Sequence, residues 1–542
     1  MFLFGLASKF DLFSPGHMPG FVHKRPVYDF PDFNKVIQVY TLSEGELGLN
    51  DPNRRALFVG DIHGMNKSFH HLLSAASYDS ARDTIILSGD IMSKSTLSGS
   101  LAILDFVTQH KCGAVPGPLY AVRGNHDQTI VQWRAWRDWF EPLQLSIPSA
   151  LASVSDPNAH PGPQAKTGRE FLELIEHEWQ RDVERDPKGS ADPDEWAGVA
   201  RKRAMGTWRE EWWRRVPQPG KGHQNKDWPI FDDHYWLARE MTSEQKACLY
   251  SLPFVLHVPS EHFFVAHAGL LPYDPKRPLT DKRQPLAHPP RLTEGSGKDY
   301  YVGTASPPEA QTALASSPVT VTTPKNETFE LLRVMQQRAL LTDIPGNRDP
   351  WVLVNMRGIR KKKRKVTRDN NKGTPWSEVW NEQMELCKGF DIAPPTDSDD
   401  RHKRPSLSGR LGDETDLEAL PCEPATVVYG HAATRSLDIK RWSMGIDTGC
   451  VYGRRLTSLV LQKPNGTALL QIREPDDVDE ENEDMDDLNS RWSDTSDAPS
   501  LREEPDMPYS RRKPRAKKVQ FGDDDAGIDA HVISVRCPDM GD

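Results

Sequence analysis

Short apolar runs alternate with helical patterns from about residue 54 onward. RALFVGDIHG, TIILSGDIMS and PLYAVRGNHD each begin with an apolar run of strand length. Between them, MNKSFHHLLSAASY and LSGSLAILDFVTQH repeat apolar residues every three or four positions, which predicts two amphipathic helices. The alternation of strand and helix predicts parallel βαβ units.

Later apolar runs predict further strands, mostly without intervening helices: EHFFVAHAGLLP, ATVVYGHAATR, SMGIDTGCVYG, LTSLVLQ and TALLQIRE. Together the two parts predict an α/β fold in which two packed β-sheets are flanked by helices. The stretch before EHFFVAHAGLLP holds ten of the 15 tryptophans in charged helical patterns. We expect a Trp-rich helical insertion at about residues 128–250, with its aromatic rings in a core rather than against a ligand.

Composition divides the chain into a main domain and polar segments. The main domain is expected to span residues 51–473, between an N-terminal segment, 1–50, and a disordered charged tail, 474–542. Within the domain, three polar stretches are predicted to be disordered because their composition does not support a core. These stretches are about residues 274–326, 359–373 and 391–423.

The formal net charge of −10 is unevenly distributed along the 542 residues. Residues 474–506 carry 15 acidic residues against two arginines, so the rest of the chain is near neutral and can form basic patches. The run KKKRK, residues 361–365, resembles a nuclear import signal. It is equally compatible with a surface that attracts a polyanion or with a solvated loop.

Cysteine spacing and hydropathy give two further expectations. The six cysteines are scattered without a CxxC pair, which favours free thiols over a zinc finger or a disulfide scaffold. The N-terminal run MFLFGLASKFDLF is too short to cross a bilayer, and no other stretch is long enough, so we expect a soluble chain.

Polar clusters follow five of the predicted strands: GDIHG (60–64), GD (89–90), RGNHD (123–127), AHAG (266–269) and YGHA (429–432). Taken singly, such clusters are as typical of capped turns or buried core histidines as of ligands. Because ligands bind beyond the carboxyl ends of strands in open α/β sheets, five clusters together are expected to converge on one site.

The residue types in these clusters suit a pair of divalent ions, because they offer hard oxygen atoms and imidazole nitrogens without a thiolate. Asp61, His63 and Asp90 are expected to form one half of the site. The expected second half shares Asp90 and adds Asn125, His267 and His431.

The order DxH, GD, GNHD, H and GH resembles the calcineurin-like metallophosphoesterases. AVRGNHD and GIDTGCVYGRRLTSLVL (445–461) are similar to the bacterial-type branch of the phosphoprotein phosphatases and diadenosine tetraphosphatases. Within that branch, RALLTDIPGNRDPWVLVNMRG and GTPWSEVWNEQM are similar to the fungal zinc-dependent endopolyphosphatases. The resemblance covers roughly residues 50–470.

The resemblance implies a two-metal site that holds zinc, manganese, cobalt or iron. Two such ions about 3.5–4 Å apart activate water and stabilise the attacking and leaving oxygens at phosphorus. The implied metal ligands are Asp61, His63, Asp90, Asn125, His267 and His431. The resemblance also implies His126 as a general acid, and Arg123 and Lys94 as contacts to phosphate oxygens.

Two departures from the family pattern concern the catalytic histidine. Where protein phosphatases have GDxVDRG, this chain has GDIMSKS, so Ser93 replaces the acid that orients the histidine and Lys94 replaces an arginine. Asp127 replaces the usual glutamate after the histidine. The orienting role is left open between Asp127 and water, and protein phosphatase activity is less expected.

The predicted function is hydrolysis of phosphoanhydride bonds, with inorganic polyphosphate as the first substrate. Alternatives are a diadenosine polyphosphate hydrolase and a serine/threonine phosphoprotein phosphatase. A non-catalytic adaptor is the least favoured, since all six expected ligands are present. No specific nucleic-acid partner is expected. The resemblance implies the fungal vacuole, with the cytoplasm or nucleus as alternatives.

Overall fold

The structure is a computed structural model that describes residues 38–113, 118–144, 166–185, 193–216, 228–289, 325–392, 419–464, 515–522 and 527–538. The described parts of residues 128–242 form one compact unit, and the other described residues form a second, larger unit.

The larger unit contains the strands, which build two six-stranded sheets and one three-stranded sheet. They are β1 Val39–Thr41, β2 Arg55–Val59, β3 Asp83–Leu87, β4 Leu119–Ala121, β5 Val255–Val258, β6 Phe263–Ala266, β7 Gly358–Arg360, β8 Lys365–Thr367, β9 Thr374–Pro375, β10 Thr426–Tyr429, β11 Asp438–Lys440, β12 Ser443–Gly445, β13 Arg455–Gln462, β14 Arg515–Val519 and β15 Asp529–Arg536.

Both large sheets have three adjacent parallel strands. In the first, the order is β1-β5-β6-β10-β12-β11, and β6, β10 and β12 are parallel. In the second, the order is β14-β15-β13-β2-β3-β4, and β2, β3 and β4 are parallel. Parallel neighbours end at the same edge, so each sheet brings three strand ends together.

The two large sheets pack face to face around an apolar core. Phe58 and Ile86 of the second sheet share this core with Phe263, Val428 and Met444 of the first. The rings of Phe58 and Phe263 lie 5.5 Å apart in an edge-to-face arrangement, which is favourable for aromatic pairs. The predicted two-sheet α/β fold is therefore confirmed.

Helices cover the outer faces of the sheets. Phe264 and Val427, which alternate with the core residues along their strands, pack against helices inserted between β6 and β10. The expectation of strands mostly without helices was therefore wrong in this stretch.

The helices of the larger unit are Glu44–Leu47, Asn66–Ala75, Leu97–Val107, Ser243–Tyr250, Lys325–Thr342, Pro350–Asn355 and Trp376–Leu386. A π-helix, Thr108–Cys112, and 3-10 helices, Pro259–Glu261, Pro345–Arg348, Lys361–Lys363, Ala433–Arg435 and Cys450–Tyr452, complete it.

The smaller unit is helical, and its tryptophans form a core. Trp133 and Trp136 are fully buried, and their rings lie edge to face at 5.3 Å. Trp212 and Trp213 are buried as well. Aromatic burial on this scale favours the structural interpretation of the tryptophans over a ligand platform. The helices are Asn125–Phe140, Gly168–Arg185, Pro193–Ala204, Arg209–Arg215 and Asp233–Glu240.

Three segments predicted to be disordered are folded, at least in part. Residues 274–289 form hydrogen-bonded turns that bury Gln284 and Leu286, whereas 290–324 lie outside the described residues. Residues 359–373 form most of the three-stranded sheet. Of residues 391–423, 393–418 lie outside the described part. The described residues 419–423 include Cys422, which forms a disulfide with Cys387.

Both expected terminal segments also contribute to the sheets. β1 belongs to the segment 1–50 and pairs in parallel with β5. The tail contributes β14 and β15, and β15 pairs with β13 over eight residues. Apolar residues of β15 alternate with polar ones and pack into the core between the sheets, which a composition-based prediction of disorder overlooks.

All six cysteines form disulfides, so the expectation of free thiols was wrong. The pairs are Cys112–Cys248, Cys387–Cys422 and Cys450–Cys537. Each joins residues that are 35 or more positions apart, which local spacing does not reveal. Among the described residues, no helix has both the length and the apolar composition needed to cross a membrane.

Candidate metal centre

Six parallel strands end at the candidate site, and the residues that follow them supply its side chains. In one sheet, Asp61 and His63 follow β2, Asp90 follows β3 and Asn125 follows β4. In the other sheet, His267 follows β6, His431 follows β10 and Asp447 follows β12. The structure thus brings together every metal ligand expected from the sequence. Asp447 was not among the candidates, although it follows a strand in the same way as the others.

Asp90 lies between two groups of potential ligands. Its Oδ2 is 3.8 Å from Nε2 of His63 and 3.3 Å from Nε2 of His267. One ligand atom each from Asp61, His63 and Asp90 lie within 4.8 Å of one another, and the same holds for Asp90, His267 and His431. Asn125 joins the second group, with its Oδ1 3.1 Å from Nε2 of His267.

Backbone carbonyl groups orient two of the histidine rings. Nδ1 of His267 is 2.9 Å from the carbonyl oxygen of Ser88, and Nδ1 of His63 is 3.4 Å from that of Met92. A carbonyl oxygen only accepts, so the proton lies on Nδ1 in both rings. In the neutral form of each ring, Nε2 then presents its lone pair toward the Asp90 carboxylate, as is typical of metal-ligating histidines.

His431 supplies the most direct indication that a cation fits here. Its Nε2 is buried and has no hydrogen-bond partner among the described residues. Its backbone N–H instead donates to the Asp61 carboxylate at 3.1 Å. An unpaired buried nitrogen is costly unless a ligand satisfies it, and a divalent ion bound by the Asp90 group would do so.

The electrostatics of the site also favour a bound cation. Burial, followed by repulsion from Asp447 and Asp90, raises the pKa of Asp61 well above its usual value. Burial opposes the charge of Asp90 as well, but His267 and His126 hold the pKa of that carboxyl well below normal. Crowded, buried carboxylates of this kind are compensated by a divalent ion.

Two of the site histidines are neutral at physiological pH, as metal coordination requires. Burial, together with the charge of Lys94, lowers the pKa of His63 to about 4. Burial and the charge of Arg357 lower the pKa of His431 well below its usual value. At His267, burial acts in the same direction, but the Asp90 carboxylate outweighs it and raises the pKa.

Glycines allow the ligand loops to pack against one another. A Cβ atom on Gly430 would overlap Oδ1 of Asp61, and one on Gly124 would overlap Oδ1 of Asp90. His63, Asp90 and His431 themselves have positive φ angles of 50°, 47° and 66°. Left-handed backbone at non-glycine residues is strained and clusters at functional sites.

The candidate general acid, His126, is held by Ser93 rather than by Asp127. Nδ1 of His126 lies 3.2 Å from the Ser93 hydroxyl, and the backbone N–H of His126 donates to Asp90 at 2.9 Å. The Asp127 carboxylate instead accepts from the backbone N–H groups of Ile91 and Gly124 at 3.1 and 2.9 Å. Ser93 therefore contacts the ring of His126, whereas the helix that begins at Asn125 turns Asp127 toward the loop after β3.

Arg123 does not face the metal centre, which contradicts its predicted phosphate contact. Its side chain is fully buried, and its guanidinium donates to the carbonyl groups of Leu249 and Tyr250 at 3.2 and 2.9 Å. The guanidinium also packs over the ring of Phe254 at 5.3 Å. The arginine therefore has a structural role in which it joins the loop after β4 to the residues before β5.

Cationic side chains do lie beside the metal centre. Lys94 is exposed and donates to the hydroxyl of Tyr452 at 2.9 Å, and its charge acts on His63. Arg357, which the sequence did not single out, is half-buried, and its charge acts on both His431 and Lys94. These two residues can contact the oxygens of a phosphate at the metal centre.

Part of the chain matches a family of known proteins. Residues 54–235 match the family model described as calcineurin-like phosphoesterase. A 71-residue stretch is 38% identical to the symmetrical bis(5'-nucleosyl)-tetraphosphatase of Edwardsiella ictaluri (strain 93-146), covering 13% of this chain and 23% of that relative. The crystal structure of a proposed diadenosine tetraphosphatase is similar at 18% identity and a TM-score of 0.33, covering 79% of this chain and 95% of that one. The stretch 54–235, which contains Asp61, His63, Asp90 and Asn125, is therefore similar to the calcineurin-like phosphoesterases.

Proposed function

We propose that this protein hydrolyses phosphoanhydride bonds and that its substrate is inorganic polyphosphate. One observation carries the proposal: Asp90 lies between two ligand groups, as a carboxylate that bridges two divalent ions must. Two-metal sites of this kind catalyse in-line displacement at phosphorus. The similarity of two stretches to fungal endopolyphosphatases favours polyphosphate among the possible substrates.

The proposed ligands divide between the two ions. Asp61, His63 and Asp90 would hold one ion, and Asp90, Asn125, His267 and His431 would hold the other. Oxygen and imidazole ligands suit zinc, manganese, cobalt and iron. When bound, such ions supply activation of water and neutralisation of charge on the phosphate oxygens.

The protein's own side chains then supply a proton and position the substrate. Because Nδ1 of His126 is held by Ser93, its Nε2 is the atom that would deliver a proton to the leaving oxygen. Lys94 and Arg357 would orient the phosphate through charge-assisted hydrogen bonds. Five of the six proposed ligands, Asp61, His63, Asp90, His267 and His431, are buried, which strengthens the electrostatic contacts among them relative to water.

A gel assay of long-chain polyphosphate tests the proposal. The wild-type protein should shorten the chains with at least one of zinc, manganese, cobalt or iron(II). Asp90→Asn should reduce the rate about 10³-fold or more, because it removes the carboxylate shared by both ion sites. Asp105→Asn is the matched control, since this exposed carboxylate accepts from Gln245 outside the centre. Intact polyphosphate under all conditions, with p-nitrophenyl phosphate cleaved, would exclude this substrate.

A second candidate function is hydrolysis of a dinucleoside tetraphosphate. The 71-residue match to a symmetrical bis(5'-nucleosyl)-tetraphosphatase favours it, and the bond cleaved is again a phosphoanhydride. Chromatography of the products from diadenosine tetraphosphate separates the two candidates. Faster turnover of this nucleotide than of polyphosphate, at equal concentration of phosphoanhydride bonds, would reverse their order.

We also propose that the protein works in an oxidising compartment, with the vacuole as the candidate implied by the family resemblance. Its support is the pairing of all six cysteines, because disulfides persist where thiols are not kept reduced. Protein isolated without reductant should react with a thiol reagent only after reduction. Six reactive thiols before reduction would favour the cytoplasm or nucleus instead.

A further inference from the structure

A strongly basic hairpin lies in the larger unit. We define the basic hairpin as residues 357–368, which include β7, the turn Lys361–Lys363 and β8. Eight of these twelve residues are lysine or arginine, and none is acidic. Residues 361–365, which are all lysine or arginine, are exposed. The tip therefore presents a dense positive charge to the solvent.

Among the described residues, few acidic groups lie near the charges at the tip of the basic hairpin. Arg360 lies directly opposite Lys365 across the strand pair, an arrangement that is unfavourable for like charges. Lys361 forms an ion pair with Glu382 at 3.0 Å. For Lys362 and Lys363, the described residues provide no acidic partner. An anion bound at the tip would relieve this repulsion.

The basic hairpin is nevertheless held in a fixed conformation. Ile359 is fully buried in the apolar core beneath it, and β9 pairs with the other edge of β7. The ladder continues to the base, where the N–H of Arg357 donates to the carbonyl of Thr367 at 2.9 Å. The lysines are therefore presented by a folded element, which lowers the entropy lost when they bind a ligand.

Hydrogen bonds attach the base of the basic hairpin to the metal centre. The carbonyl of Arg357 accepts from Arg435 at 2.5 Å, and Arg435 lies four residues after His431. Just before the hairpin, the carbonyl of Leu353 accepts from the N–H of Ala268, the neighbour of His267, at 3.0 Å. At about 3.3 Å per residue, three strand positions place the charged tip about 10 Å beyond Arg357.

We propose that the basic hairpin is a binding arm for a linear polyanion of phosphates, one of which occupies the metal centre while others contact the lysines. The proposal rests on the proposed function and specifies its substrate class, which is a chain of phosphates rather than a single phosphate ester. Lysine ammonium groups bind phosphate oxygens through charge-assisted hydrogen bonds, and clustered charges raise the local concentration of an anion.

Two triple variants of the full chain test this inference. The hairpin variant carries Lys362→Gln, Lys363→Gln and Lys365→Gln, and leaves Arg357 and Arg364 unchanged. The control variant carries Lys282→Gln, Lys388→Gln and Lys517→Gln, at exposed positions outside the hairpin. Both lose three charges, and Lys517 belongs to a second basic run of the sequence, RRKPRAKK (511–518), so the control reports any general effect of positive charge.

Binding is measured with fluorescently labelled long-chain polyphosphate in EDTA, so that it does not depend on hydrolysis. The hairpin variant should bind about tenfold more weakly than the wild type at low ionic strength, and the difference should shrink as salt is added. The control should bind within twofold of the wild type. With metal present, kcat/KM for long chains should fall in the hairpin variant, while kcat/KM for p-nitrophenyl phosphate stays unchanged.

The outcomes separate this inference from the proposed function. Equal binding by the hairpin and control variants would overturn the inference, even where polyphosphate is hydrolysed. If polyphosphate binds more weakly to the hairpin variant but is not hydrolysed by the wild type, the binding role of the hairpin is supported and the proposed reaction is excluded. The same assay with a single-stranded oligonucleotide provides a further outcome. If the hairpin variant binds the oligonucleotide more weakly than the wild type but binds polyphosphate equally well, the hairpin is a nucleic-acid site and the inference is overturned. Equal melting temperatures would show that the variants are folded.

Discussion

In the metal centre the charged side chains are buried and face one another, whereas at the tip of the basic hairpin they are exposed and face the solvent. Asp61, Asp90 and His431 are each 7% exposed or less, and the five basic residues at 361–365 are all exposed. Buried charges must be compensated inside the protein or by a bound ion, while exposed charges are screened by water and salt. The buried charges of the metal centre therefore call for a bound cation, whereas the exposed charges at the tip of the basic hairpin only attract an anion.

The largest effect is expected from a change that disturbs the buried region without touching a ligand. In Gly430→Ala, the new methyl group would overlap the Asp61 carboxylate and displace it. Metal affinity, measured by titration and elemental analysis, should fall about 100-fold, because the positioning of ligands is tuned that finely. Gly45→Ala is the control, since its Cβ would meet no atom within 4 Å. Unchanged metal content in Gly430→Ala would show that Asp61 is not a ligand.

A smaller effect is expected at Ser93, which is buried beside the metal centre. Ser93→Ala removes the hydroxyl that contacts Nδ1 of His126, so kcat should fall about tenfold while metal content is unchanged. Ser93→Asp would place a carboxylate there and favour the protonated ring, so the alkaline limb of the pH–rate profile should move to higher pH. Identical pH profiles for the wild type and both variants would contradict a role for Ser93 in positioning His126.

The smallest effect on activity is expected at Arg123, which is charged and buried but faces away from the metal centre. Arg123→Gln removes donors to two backbone carbonyl groups and should lower the free energy of unfolding by about 3 kcal/mol. At a temperature where the variant is folded, kcat/KM should equal that of the wild type. A lower kcat/KM in folded Arg123→Gln protein would instead support the predicted contact between Arg123 and phosphate.

The sequence was sufficient to predict which side chains meet at the candidate centre, because their positions depend on topology. Each expected ligand follows a strand, and parallel strands of one sheet end at one edge regardless of how the side chains pack. Asp447 was within reach of the same argument, since it follows β12 in a glycine-rich turn as His431 follows β10. No physical feature of the sequence conceals Asp447.

Side-chain direction was the part that the sequence did not determine. Arg123 and Asp127 lie in the predicted cluster, but Arg123 packs on Phe254 from a distant part of the chain, and Asp127 binds backbone amides of the loop after β3. Both contacts join segments that only the folded chain brings together. The prediction of free thiols failed for the same reason, because paired cysteines such as Cys112 and Cys248 are 136 residues apart.

Composition misled the prediction for the basic hairpin. Its many lysines and arginines are typical of disordered segments, yet a single buried residue, Ile359, and pairing of β7 on both edges suffice to fold it. Averages over a window conceal one apolar residue among many charged ones. The same averaging concealed β15, which follows an acidic run and a basic run in the sequence.

The link between Cys450 and Cys537 has a consequence for proteolytic processing. Cys450 precedes β13 and Cys537 follows β15, and these two strands pair over eight residues. The chain between β13 and β14 therefore starts and finishes on the same sheet, inside a covalent ring. A protease that cuts this interval would yield two polypeptides that remain joined, so cleavage would be visible on a reducing gel and silent on a non-reducing one.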